Sequence, residues 1–181
     1  DGRAARVIEA GSGDPVLLIH GVGMRAEAWQ PQIEALAARH RIIAVDMPGH
    51  GESDPLPGQP RLPDYVAWAA RVVEALDLGP VSVAGHSMGA LVASGLAVER
   101  PELVRRAALL NGVHRRSPEA RAAVMARAAE IGAGRAAIEA PLSRWFGPGD
   151  SALRDRVAGW LRSVPEAGYT AAYRAFAEGD A

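Results

Sequence analysis

Residues 83-VAGHSMGAL-91 place Ser87 between Gly85 and Gly89 in the pattern G-x-S-x-G. The apolar run before the serine is typical of a buried strand, and the run after it is typical of a helix. A serine at a sharp strand-to-helix turn points its hydroxyl out of a sheet, and flanking glycines leave room for the neighbouring backbone. The first N–H groups of that helix, led by Met88, can stabilise an oxyanion beside the serine. This context predicts that Ser87 is a catalytic nucleophile.

A second stretch, 20-HGVG-23, ends another predicted strand that would lie beside the serine turn. A loop at that point is expected to supply a second oxyanion donor, the backbone N–H of Val22, which would join that of Met88. One such donor is worth about 3–4 kcal/mol of transition-state stabilisation, so backbone positions matter as much as side chains here.

The same stretch also fits a different function. Residues 17-LLIHGVGMRA-26 match G-x-G-x-x-A after a strand, with Gly21 and Gly23 as glycines and Asp46 where a ribose-binding acid would lie. Against dinucleotide binding, the next helix is predicted to begin only near Gln30, and the pattern GHSMG stays unexplained. It is kept as an alternative.

The composition excludes several kinds of chemistry. The chain has no cysteine, and its 20 basic residues are all arginine. Thiol nucleophiles, thiolate metal sites, P-loop lysines and Ser-x-x-Lys sites are therefore excluded. The net charge of -1, with acids and bases interleaved, offers no electrostatic footprint for nucleic acid or an anionic membrane. We expect a small-molecule substrate, with no metal and no organic cofactor; the oligomeric state is not predicted.

Residues 81–98 carry no formal charge over 18 positions, a length that a membrane span also needs. Three glycines, three serines and a histidine suit a lipid-facing helix poorly, so a strand, a turn and a buried helix are the preferred interpretation. The first residues show no signal-like segment, and we expect a cytoplasmic protein.

Strands and helices alternate along the first part of the chain, which predicts a mostly parallel, doubly wound α/β sheet with helices on both faces. The predicted strands are residues 6–9, 16–20, 41–46, 81–84 and 106–110, and the helices are residues 30–40, 64–78 and 88–100.

The chain changes character after Asn111. Residues 115–181 are predicted to be helical, with helix starts at Ser117 and Asp150 and an inner face that includes Leu153. We therefore divide the chain into a core, residues 1–114, and a helical lid, residues 115–181. Six of the nine aromatic residues lie in the lid and would either pack helices or line a pocket. The pocket candidates are Trp29, Trp145 and Phe146.

Together, HGVG at 20–23, VDMPGHGESD at 45–54, VAGHSMG at 83–89 and RAALLN at 106–111 resemble the α/β-hydrolase superfamily in order and spacing. The lid is loosely similar to that of the 3-oxoadipate enol-lactonase-like branch. The resemblance implies a serine hydrolase that acts on a small carboxylic ester or lactone through an acyl-enzyme on Ser87. It also implies that Val22 and Met88 form the oxyanion hole and that no cofactor is needed.

The family's catalytic acid and histidine follow later strands, in the order Ser, acid, His. The five histidines of this chain all precede the lid, and none matches the family's base. We therefore expect an incomplete hydrolase, whose 181 residues alone are nearly inactive and leave the last strand as an uncovered sheet edge. The alternative is a complete, catalytically inactive binding protein of the same fold.

Overall fold

The computed structural model describes residues 2–134, 138–149 and 151–180. Its strands form one sheet in the order β1-β3-β2-β4-β5, and only β1 runs antiparallel to its neighbour. This confirms the predicted mostly parallel α/β sheet. The strands are β1 (Val7–Ala10), β2 (Asp14–Ile19), β3 (His40–Val45), β4 (Val81–His86) and β5 (Val104–Leu110).

Helices cover both faces of this sheet. They are α1 (Gln30–Leu36), α2 (Leu62–Ala75) and α3 (Met88–Glu99). Along β2, Leu17 and Ile19 pack into a core with α2 and α3, whereas Leu18 packs on the opposite face against residues near α1. Strand β2 is thus buried on both faces, which explains its unbroken apolar sequence.

Most element boundaries differ from the prediction by one to four residues, and three of these differences have a clear cause or consequence. Strand β4 continues to His86, because its parallel pairing with β5 holds until His86 lies opposite Leu110. Strand β5 already begins at Val104. Helix α1 ends at Leu36, because residues 37–39 form the turn that leads into β3. The serine turn is therefore reached directly from a paired strand.

Helix α2 begins two residues before the predicted cap. Asp64 occupies the third helical position, and its Oδ2 accepts the N–H of Arg61 at 2.7 Å. The carboxylate thus satisfies a backbone donor at the helix start from inside the first turn, as in a capping box.

After β5 the described chain is helical, as predicted. The hydroxyl of Ser117 accepts the N–H of Ala120 and caps the first of these helices. The predicted start at Asp150 lies outside the described residues; the neighbouring Ser151 caps a helix through the N–H of Arg154. The helices are α4 (Pro118–Gly132), α5 (Glu139–Phe146), α6 (Ala152–Ser163) and α7 (Glu166–Glu178).

Helix α7 joins the helical block to the sheet. Its Ala172 and Ala175 are fully buried in the main core with α2 and α3. Helix α6 packs Val157 and Leu161 into a smaller cluster with α5, but Leu153 is 55% exposed, so its predicted place on the inner face is wrong. Residues 1–114 and the helical block thus share one core through α7. The division of the chain at residue 114 therefore stays a prediction.

Strand β5 forms one edge of the sheet. Its side chains are exposed from Arg105 onward, with Leu109 at 51% and Leu110 at 42%. The structure thus has the uncovered edge that the sequence predicts.

The apolar residues 81–98 divide into β4, a turn and α3, which is the preferred interpretation of that run. Within the described part of the chain, no helix has both the length and the apolarity that crossing a bilayer requires.

Candidate active site

Ser87 lies between β4 and α3 in a strained backbone conformation. Its φ of 54° and ψ of -116° lie in a region that residues with a side chain rarely adopt. The N–H of Ser87 donates to the carbonyl of Leu110 at 2.9 Å, and the carbonyl of Ser87 accepts the N–H of Ala90 at 3.0 Å. Both bonds hold the serine at the end of β4, where it faces the helical block.

The two glycines of the motif are required by close backbone contacts. A Cβ on Gly85 would overlap the carbonyl oxygen of Gly89, and a Cβ on Gly89 would overlap the carbonyl oxygen of Ile19 at the end of β2. Helix α3 therefore starts in direct contact with β4 and β2, and any side chain at either position would push it away.

Residues 21–24 form a turn beside the serine. The N–H of Met24 donates to the carbonyl of Gly21 at 3.1 Å. A Cβ on Gly21 would lie 3.1 Å from the Cβ of Ser87, so the turn packs directly against the serine. Val22, at the apex, lines the same cavity as Ser87. The N–H of Met88 opens α3, where the first donors have no acceptor within the helix. The two predicted oxyanion donors thus belong to the backbone around Ser87, and their role stays a prediction.

Two buried histidines connect this turn to the loop after β3. His50 Nε2 accepts the N–H of Gly23 at 3.0 Å, and His20 Nε2 accepts the N–H of Met47 at 2.9 Å. Burial lowers the pKa of His20 to about 3 and that of His50 to about 4. Both rings are therefore neutral near pH 7, and their nitrogens are engaged by backbone groups.

Asp46 is fully buried and already has partners. Its Oδ1 accepts the N–H of Ala26 at 2.7 Å, and its Oδ2 accepts the N–H of Glu52 at 3.0 Å and a guanidinium N–H of Arg6 at 3.1 Å. The carboxylate holds together three loops and is not available to a ribose.

The rest of the dinucleotide pattern does not fit either. After the glycines the chain first forms a short 3-10 helix, Ala26–Trp29, and the α-helix α1 begins only at Gln30, seven residues after Gly23. The space beside Gly23 is filled by Leu161 and Tyr169 of the helical block. The alternative that uses Gly21, Gly23 and Asp46 is therefore wrong.

A cavity of about 860 Å³ lies between Ser87 and the helical block. Val22, His86, Ser87 and Asn111 form its floor at the ends of the strands. The helices supply the remaining walls, with Val124 and Arg127 from α4, Arg144 and Trp145 from α5, and Tyr169, Tyr173 and Phe176 from α7. The cavity is large enough for a small organic substrate.

Of the three predicted pocket residues, only Trp145 lines this cavity. Trp29 is buried on the opposite face of the sheet with Leu18 and Ile33, so its predicted pocket position is wrong. The predicted position of Phe146 is also wrong, because the ring packs against the cluster around Leu142 that joins α5 to α6.

Arg127 and Arg144 were not predicted from the sequence, yet both line the cavity. Burial raises the pKa of Tyr169 and of Tyr173, and the charges of the two arginines oppose that rise at both tyrosines. The cations therefore lie near the tyrosines on the helical side. Arg127 also pairs with Glu130 at 3.1 Å. The only sequence signal for this wall was the cluster of aromatic residues.

Within residues 2–134, 138–149 and 151–180, His86 is the one histidine that lines the cavity. Burial lowers its pKa. No described group of three or more histidine and carboxylate side chains is arranged to hold a metal ion. The geometry thus provides a serine hydroxyl, backbone donors and a cavity with a cationic wall.

A family model for the alpha/beta hydrolase fold matches residues 14–175. The chain is 51% identical over 180 residues to (E)-2-((N-methylformamido)methylene)succinate hydrolase of Acinetobacter baylyi, a match that covers 98% of this chain and 68% of that relative.

Two solved structures are also similar. The enol-lactonase of Burkholderia xenovorans aligns with a TM-score of 0.82 at 20% identity, and the alignment covers 99% of this chain and 72% of the enol-lactonase chain. An E-2-(acetamidomethylene)succinate hydrolase aligns with a TM-score of 0.79 at 26% identity, and the alignment covers 98% of this chain and 70% of the hydrolase chain.

The contacts of Gly89 predict a large cost for any side chain there. We expect Gly89→Ala to lower the free energy of unfolding by about 2–3 kcal/mol, because its Cβ would displace α3 from β2. Gly159→Ala is the matched control, because Gly159 lies in α6 with nothing within 4 Å of its Cβ position. Alanine at that position should raise the free energy of unfolding by about 0.5–1 kcal/mol. Urea unfolding of both variants measures this, and equal effects would contradict the steric argument.

The backbone of Ser87 predicts an inverted preference between alanine and glycine. Strain at such a conformation costs about 1–3 kcal/mol, and glycine relieves it, whereas alanine does not. We expect Ser87→Gly to be more stable than Ser87→Ala by about 1 kcal/mol, although glycine normally costs backbone entropy. If thermal unfolding ranks alanine above glycine, Ser87 is not strained.

Proposed function

The chain belongs to the alpha/beta hydrolase fold family and is a hydrolase, and we propose that it cleaves a small carboxylic ester, lactone or amide through an acyl-enzyme on Ser87. The observation that carries this proposal is the position of Ser87: a strained turn at the floor of a cavity, beside Val22 and at the start of α3.

In the proposed reaction, the Oγ of Ser87 attacks the substrate carbonyl carbon while its proton passes to a base. That base is not assigned among the described residues. The carbonyl oxygen becomes an oxyanion, which the N–H groups of Val22 and Met88 stabilise. The C–O or C–N bond breaks, the leaving group takes up a proton, and water then hydrolyses the acyl-enzyme.

Removing the hydroxyl of Ser87 tests this proposal. In the protein expressed from its complete native gene, we expect Ser87→Ala to lower kcat by roughly 10⁶-fold, because a nucleophile and its partners act as one unit. A fluorophosphonate probe should label Ser87 in the unmodified protein and leave the variant unlabelled.

Ser94→Ala is the matched control, since Ser94 lies in α3, the helix that follows Ser87, but outside the cavity. It should keep both hydrolysis and labelling. If Ser87→Ala still hydrolyses substrate, the acyl-enzyme proposal fails. If the unmodified protein hydrolyses no ester, lactone or amide and resists the probe, the inactive binding protein becomes the better description.

A second candidate function specifies the bond that is cleaved and the class of substrate. The relative at 51% identity is named for a succinate that carries an N-methylformamido-methylene group. We propose that this chain also accepts a dicarboxylate with an N-acyl group. Arg127 and Arg144 support this, because guanidinium groups bind carboxylates through paired, charge-assisted hydrogen bonds.

Charge removal at the cavity wall tests the dicarboxylate proposal. A hydrogen bond to a charged group is worth about 1.5–3 kcal/mol, so Arg127→Gln and Arg144→Gln should each raise KM for a dicarboxylate substrate by about 10- to 100-fold. KM for the corresponding neutral dimethyl ester should change little. Arg162→Gln, on the exposed side of α6, is the control. Equal effects on charged and neutral substrates would contradict carboxylate recognition.

A further inference from the structure

The four nitrogens of His20 and His50 are all engaged by the backbone of two loops. His20 bonds the carbonyl of Gly21 through Nδ1 at 2.7 Å and the N–H of Met47 through Nε2. His50 bonds the carbonyl of Pro48 through Nδ1 at 3.2 Å and the N–H of Gly23 through Nε2. The two rings lie 5.4 Å apart and are almost completely buried.

This pattern allows only one protonation state. Each Nε2 faces a backbone N–H, so it must offer a lone pair, and each Nδ1 faces a carbonyl, so it must carry the proton. A second proton on either ring would set two N–H donors against each other. It would also place a positive charge inside the core, near the other ring. The charged side chains that act on the two rings are those of Arg25, Glu27 and Asp46.

The histidine hydrogen bonds fix the backbone on both sides of Val22. The carbonyl of Gly21 is bonded by His20 on one side, and the N–H of Gly23 is bonded by His50 on the other. The turn also packs against Ser87 through Gly21, and against Leu161 and Tyr169 through Gly23. The direction of the N–H of Val22 is therefore set by two side chains that do not line the cavity.

We propose that His20 and His50 are positioning residues, which act as a neutral pair of imidazoles and hold the N–H of Val22 in the orientation that an oxyanion on Ser87 requires. The inference rests on the proposed function of Ser87. Neither histidine exchanges a proton with the substrate. Their contribution is to the transition state, because the donor must point at charge that develops only during the reaction.

Two amide substitutions at His50 separate positioning from general stability. The amide of glutamine reaches the place of Nε2 and can still accept the N–H of Gly23, whereas the shorter amide of asparagine reaches only the place of Nδ1. Losing an oxyanion donor costs about 10²–10³-fold in kcat. In the protein expressed from its complete native gene, we expect His50→Asn to lose about 10²-fold in kcat with little change in KM, and His50→Gln to lose less than about tenfold.

His40→Gln is the control, because His40 lies at the far end of β3 from the serine turn. It should keep both kcat and KM. Equal kcat values for His50→Asn and His50→Gln would overturn the inference, as would a loss that appears only in KM. Should His50→Asn not fold, the ¹⁵N NMR spectrum of the unmodified protein decides.

That spectrum should show both rings protonated only on Nδ1 and unchanged between pH 7 and pH 5, a range in which an ordinary imidazole with a pKa near 6.5 gains a proton. Protonation on Nε2, or titration of either ring in that range, would overturn the inference. Failure of the proposed function is a different result: either Ser87→Ala would remain active, or the unmodified protein would hydrolyse no ester, lactone or amide and resist the probe, whatever the protonation of the two rings.

Discussion

The candidate site depends on one steric constraint, the contact between the start of α3 and the ends of β2 and β4. The backbones meet there without side chains, at Gly85 and Gly89. Because the helix starts so close to the sheet, the chain must reverse within a single residue, and Ser87 takes the positive φ that this reversal demands. The same contact aims the first N–H groups of α3 at the space beside the serine.

The site near the strands could be predicted from the sequence because its signals are local. A glycine-serine-glycine pattern between an apolar strand and an apolar helix has few structural solutions, so the place of Ser87 followed from seven residues. Val22 followed from a glycine turn after a second strand, since neighbouring parallel strands end at the same edge. The boundaries of β4 and β5 were less accurate, because pairing between strands decides where a strand ends.

The helical side could not be predicted in the same way. Whether an arginine on a helix faces a cavity or solvent depends on how the helix is rotated against the sheet, and α4 is rich in alanine, with two arginines and no clear apolar stripe. Arg127 and Arg144 were missed for this reason. Trp29 shows the converse error. A large aromatic residue near the glycine turn suits a pocket and a core equally well, and Trp29 packs in the core on the far face of the sheet.

Helix α7 contributes both to the core and to the cavity wall. Its Ala172 and Ala175 are packed into the core beneath the sheet-covering helices, while Tyr169 and Tyr173 of the same helix line the cavity. One wall of the cavity is therefore a rigid extension of the core and cannot swing away as part of a separate cover. A larger side chain at position 172 would therefore act in two places at once, because it would overcrowd the core and displace the tyrosines from the cavity wall.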